Sequence, residues 1–155
     1  VIEAQLNGGA SCVYFAMDDA DVERIMKHPQ TMIASDGRLV APGMGHPHPR
    51  WYGTFPRVLG LYSREKNVIP LEVAIQKMTM MPADRLRLFE RGRLKENTFA
   101  DVVVFNPETI VDKATFQNPH QYPEGIDFVI INGELAVDGG EFRNVRSGKV
   151  LRRTN

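Results

Sequence analysis

The 155-residue chain balances nineteen basic against nineteen acidic side chains, with 43% apolar and 25% charged residues, the proportions of an ordinary globular protein. The cancelled charge offers no overall field for nucleic acid or an anionic membrane surface, and no apolar run approaches the ~20 residues of a membrane span. Its single cysteine, Cys12, excludes an internal disulfide and suits a cytoplasmic setting.

In chain order, Val1 to Leu6 has the pattern of a helix already under way, stopped by Asn7-Gly8-Gly9. With no initiator Met and no basic, apolar leader, the expectation is a segment of a longer polypeptide. Ala10 to Met17 is apolar and partly aromatic, which predicts a strand with Cys12 buried in it. Asp18 and Asp19 are N-cap candidates for a helix in which Val22, Ile25 and Met26 recur at helical spacing. Pro29 ends that helix, and His28 complements its dipole from the last turn. Thr31 to Ala34 then fits a short buried parallel strand with Asp36 at its C-terminal end. Strand, helix, strand is the rhythm of a βα barrel, so the fold class is α/β.

A Gly/Pro-rich loop follows, carrying His46, His48 and Arg50. Tyr52 to Glu65 reads as helical, with Phe55, Val58, Leu59 and Tyr62 on one side. Pro70 suits the first position of a helix in which Leu71, Ala74, Ile75 and Met78 form one buried stripe. Met78, Met80 and Met81 are core filler, and Pro82-Ala83 opens a short helical piece with Leu86 and Leu88. Beyond it the texture turns to strands at Asp101–Phe105, Asp127–Ile131 and Leu135–Val137, with Asn132-Gly133 as a hairpin turn and Asp138-Gly139-Gly140 as another. A domain boundary near Leu88 to Arg91 divides the chain into 1–88 and 89–155.

Barrel enzymes place catalytic groups at the C-terminal ends of their strands, which is where Asp36 falls. An aspartate before glycine is also a common turn cap, and position alone favours that second role. An arginine on the loop above could grip a substrate carboxylate through paired hydrogen bonds; a surface arginine fits Arg50 equally well. His46 and His48 lie two apart but between prolines in a loop, the wrong setting for a metal-binding pair; His48 is placed beside Arg50 and His46 towards solvent. Arg57 is expected to pair with an acidic side chain, and His120 to belong to a turn fixed by Asn118-Pro119. The chain contains no set of three nitrogen or sulfur ligands at fixed spacing.

Ser35-Asp36-Gly37, His48-Pro49-Arg50 and the run Tyr52-Gly53-Thr54-Phe55-Pro56-Arg57-Val58-Leu59-Gly60 resemble the C-terminal part of the N-acyl-D-amino-acid deacylases, or D-aminoacylases, of the metal-dependent amidohydrolase superfamily. The resemblance continues through Lys77-Met78-Thr79, Pro82-Ala83, Arg91-Gly92-Arg93-Leu94, Ala100-Asp101, His120 to Ile126 and Asn132-Gly133-Glu134. It implies the closing βα units of a TIM-like barrel, incomplete in this chain, followed by strands of a small β-domain. It implies zinc, one or two ions in the complete enzyme, with Asp36 as catalytic aspartate and metal contact. Arg50 and His48 become the substrate-binding residues and an N-acyl-D-amino acid the substrate. The other metal ligands would lie upstream in the missing N-terminal part, so these residues alone should bind zinc weakly and hydrolyse nothing. Asn97 and Arg87 stand where glycine is common in that family. A hydantoinase- or dihydroorotase-like amidohydrolase is an alternative that His-Pro-Arg and Gly-Thr-Phe-Pro-Arg disfavour; a non-catalytic β-rich interaction module is another. Sheet edges left bare by absent strands would let the fragment associate as a homo-oligomer, and the sequence leaves the oligomeric state open.

Overall fold

The computed structural model describes residues 2–9 and 12–152. Val1, in the expected first helix, and Ala10 and Ser11, at the head of the first expected strand, lie outside the described residues. The helices are α1 (Ile2–Leu6), α2 (Asp19–Lys27), α3 (Arg50–Arg57), α4 (Leu71–Met78) and α5 (Met80–Arg85), and α3 continues as a π-helical stretch, Val58–Glu65. Four strands follow, β1 (Val102–Phe105), β2 (Ile126–Ile131), β3 (Glu134–Asp138) and β4 (Glu141–Phe142).

Local chemistry accounts for the helix ends. The Asp18 carboxylate accepts the Ala20 N–H at 2.8 Å and caps α2, which places Val22 and Met26 inward four residues apart while Ile25 turns out. Pro56 has no N–H to give, and two residues later the helix widens, so that the Lys66 N–H reaches back five residues to the Leu61 carbonyl at 2.9 Å. The core joins both halves of the chain: Met26, Val58, Leu59, Val68, Ile69 and Ala74 pack with Ile110 from the loop after β1.

Glycines make that junction possible. A Cβ on Gly60 would stand 2.5 Å from the Ile110 carbonyl oxygen, and one on Gly53 would stand 2.8 Å from the Asp112 Cβ. Between them in sequence, the Arg57 guanidinium donates to Asp112 at 2.9 Å, the acidic partner expected for it. Seven residues apart, the two glycines lie on one helix face, and 110–112 runs along it.

The sheet is antiparallel in the order β1-β2-β3-β4. Asn132 and Gly133 both take positive φ (51° and 84°), the geometry a two-residue hairpin turn requires. Three of the motifs named above meet beside that turn. The Arg91 guanidinium bonds Asp101, donates to Asn132 Oδ1 at 2.6 Å and stacks over Phe99, while Asp101 accepts the Asn132 N–H at 2.8 Å. Asn97 and Arg87 sit at φ 62° and 60°, as their glycine-like positions demanded.

Several expectations are corrected. Neither 12–17 nor 31–34 forms a strand: a strand needs a hydrogen-bonded neighbour, and neither segment joins a ladder with any other described one. Cys12 is therefore exposed, as are Val13, Tyr14 and Phe15. The stripe on α4 is rotated; Ile75 is 37% exposed, and Lys77 takes an inward place behind Leu71 and Ala74. Met78 packs against the core as expected of filler.

Candidate active site

Residues 31–36 alternate. Thr31, Ile33 and Ser35 are half-buried against the helices, and Met32, Ala34 and Asp36 are exposed on the opposite face. The period of two is that of an extended strand with one covered face. Asp36 closes the run at φ 47°, a left-handed conformation that a short polar side chain tolerates. Ser35 Oγ accepts the Gly37 N–H at 3.2 Å and sharpens the turn. The Asp36 side chain is 86% exposed, on the bare face rather than in an enclosed site.

Arg50 opens α3, and its guanidinium folds back onto Asp36. One nitrogen meets the carboxylate at 2.6 Å while Nε donates to the Asp36 carbonyl at 3.1 Å. His48 Nδ1 accepts the Arg50 N–H at 3.0 Å, so the neutral ring carries its proton on Nε2. Burial pushes the His48 pKa down, the Arg50 charge pushes it further, and the Asp36 carboxylate opposes them. The ring also stands edge-on to Phe116, at 4.9 Å between centroids. The three residues singled out from the sequence are thus contiguous.

Other histidines hold the loop in place. His46 is exposed, as expected, and its Nε2 donates to the Phe116 carbonyl at 2.6 Å. His120 donates from Nε2 to the Gly45 carbonyl at 3.1 Å and accepts the Tyr52 hydroxyl on Nδ1 at 3.0 Å. It therefore fastens the 41–46 loop to α3, a structural part. Among the described residues, no group of three His, Cys, Asp or Glu side chains could hold a metal ion. Lys77 was missed in the sequence; the signal was a lysine at the i+6 position of the apolar series Leu71, Ala74.

Residues 7–137 match the Amidohydrolase family, and the chain belongs to it. It is 46% identical over 145 residues to the D-aminoacylase of Alcaligenes xylosoxydans xylosoxydans, across 94% of this chain and 29% of the relative. A solved D-aminoacylase structure, from work on its binuclear metal centre, superposes with a TM-score of 0.84 at 46% identity over 90% of this chain and 29% of the other. The zinc- and phosphonate-bound N-acyl-D-glutamate deacylase of Bordetella bronchiseptica superposes with a TM-score of 0.78 at 44% identity, over 90% and 28%. The chain thus spans under a third of the length of the relatives it matches. No helix among the described residues is long and apolar enough to cross a membrane.

Proposed function

We propose that the protein to which this chain belongs is a zinc-dependent N-acyl-D-amino-acid deacylase, cleaving the substrate amide to a carboxylate and a free D-amino acid. The observation that carries the reading is the contact between Asp36 and Arg50 at 2.6 Å, on the uncovered face of an extended segment. A carboxylate and a guanidinium side by side suit a substrate whose scissile amide adjoins an α-carboxylate.

Residues 1–88 are read as the closing units of a barrel and 89–155 as part of a small β-domain. On that reading the bare face of 31–36 looks into the barrel, towards strands supplied upstream by the same polypeptide. Asp36 fits a zinc ion as one oxygen ligand on an accessible face, and the remaining ligands must come from outside the described residues. Bound zinc would supply Lewis-acid polarisation of the acyl carbonyl and a lowered pKa for water.

The residues of this chain divide the remaining work. The Asp36 carboxylate accepts a proton from the attacking water and returns it to the departing nitrogen, so the amine leaves neutral. Arg50 exchanges the Asp36 carboxylate for that of the substrate and fixes its orientation through two parallel bonds. Neutral His48, with Nε2–H free to donate, lines the same side. Cys12 remains a thiol in a reducing cytoplasm.

The test is release of free D-amino acid from N-acetyl-D-leucine, N-acetyl-D-glutamate and N-acetyl-D-aspartate by the zinc-loaded full-length protein and by its Asp36→Asn variant. Turnover of at least one substrate, abolished in the variant with zinc content largely retained, supports the assignment. Absence of turnover by the parent protein, or near-normal turnover by Asp36→Asn, refutes it.

A further inference from the structure

Lys77 is the penultimate residue of α4 and is 1% exposed, at a position where the pattern of Leu71 and Ala74 calls for an apolar side chain. A buried ammonium is costly unless its protons are matched. No carboxylate pairs with it among the described residues. Instead, Nζ donates to the His28 carbonyl at 2.6 Å and to the Thr31 carbonyl at 2.8 Å. The main chain of the same residue adds a third tie, the Ile33 N–H donating to the Lys77 carbonyl at 3.1 Å.

One residue thus grips 28–33 by side chain and backbone together, and Asp36 follows three residues later. In an extended segment, a slip of one residue exchanges the two faces. Such a slip would bring Asp36 to the covered side and Ser35 to the open one. We infer that Lys77 is a positioning residue for Asp36, holding the register that presents its carboxylate on the open face. A lysine kept for stability alone would be poorly chosen, since a well-packed apolar side chain of similar volume often serves a core as well or better. That contrast supplies the test. The kinetic part of the inference rests on the deacylase reading; the structural part does not.

In the zinc-loaded full-length protein, Lys77→Met is compared with Ala136→Gly, a change at a buried position of β3 outside the cluster against which Ile33 packs. For Lys77→Met, kcat on an N-acetyl-D-amino acid is expected to fall about tenfold or more, as a misplaced catalytic group implies. KM should stay within about threefold, and amide exchange in the peptide covering 31–39 should quicken about tenfold. Ala136→Gly should leave kcat and that exchange unchanged, even where its melting temperature falls further. Unchanged exchange in Lys77→Met overturns the inference, as does an unchanged kcat or an equal loss in Ala136→Gly. A parent protein without deacylase turnover removes the deacylase reading, and the exchange comparison then decides the tether alone. Should Lys77→Met not fold, Lys77→Gln, which keeps an amide donor on a shorter stem, carries the same comparison with an intermediate effect.

Discussion

Replacing Arg50 by lysine asks whether the guanidinium fork, rather than charge alone, holds the substrate. In the structure the fork makes two contacts to one residue, the carboxylate of Asp36 at 2.6 Å and its carbonyl at 3.1 Å. The same geometry can meet a substrate α-carboxylate through two parallel bonds, whereas an ammonium keeps the charge as a single point and gives up one directed bond. A hydrogen bond to a charged group is worth about 1.5–3 kcal/mol, which converts to a roughly 10- to 150-fold loss. Because the side chain is 43% exposed, water can offset part of that loss, and the lower end of the range is expected. The assay is kcat/KM for an N-acetyl-D-amino acid and for its α-carboxamide, which lacks the anion, in the full-length protein and its Arg50→Lys variant. The acid should lose about tenfold or more, and the amide, already a poor substrate, little further. Equal losses on both substrates would show that Arg50 does not read the carboxylate.

Two further outcomes follow from the packing and the charges. Gly60→Ala gains about 1 kcal/mol of helix propensity but forces a Cβ to within 2.5 Å of the Ile110 carbonyl oxygen. Overpacking against backbone costs about 1–3 kcal/mol, and the upper end applies here, so a lowered denaturation midpoint is expected. Gly148→Ala, with nothing within 4 Å, should leave the midpoint unchanged, and equal behaviour of the two variants would contradict the close approach. His48 has a pKa held below its ordinary 6.5, so the folded state binds fewer protons than the unfolded state between those values. Its contribution to stability is complete above about 6.5 and is lost as pH falls through the lowered value. Melting temperatures from neutral to mildly acidic pH should therefore drop more steeply in the parent protein than in His48→Gln; parallel curves would rule this out.

What could be read from the sequence divides along physical lines. The Asp18 cap, the Asn132-Gly133 turn and the left-handed Asn97 were legible because each is decided by a few neighbouring residues. The strands at 12–17 and 31–34 were misread for the opposite reason. Their composition is that of buried strands, but a strand exists only where another pairs with it, and pairing is not a local property. The exposed Cys12, Tyr14 and Phe15 and the bare face of 31–36 are the same fact seen from the surface. The grouping of Asp36, Arg50 and His48 was legible because a short loop joins them. Lys77 was not, because its acceptors at His28 and Thr31 lie 49 and 46 residues away.

The run from Tyr52 to Gly60 carried much of the family resemblance, and its glycines and Arg57 meet 110–112 rather than Asp36. They let 110–112 approach the helix and fasten it there through Asp112. That attachment bears on the site all the same, because Arg50 is the first residue of the same helix and Tyr52 anchors the loop through His120. On the other side, α4 holds 28–33 through Lys77 and thereby the start of the segment that ends in Asp36. Carboxylate and guanidinium thus reach one another from two separately braced supports, which meet in the cluster of Leu59, Ala74 and Ile110. Loosening the α4 brace should displace the carboxylate and tell first in turnover, whereas loosening the brace at 110–112 should displace the guanidinium and tell first in substrate affinity, with both side chains chemically intact.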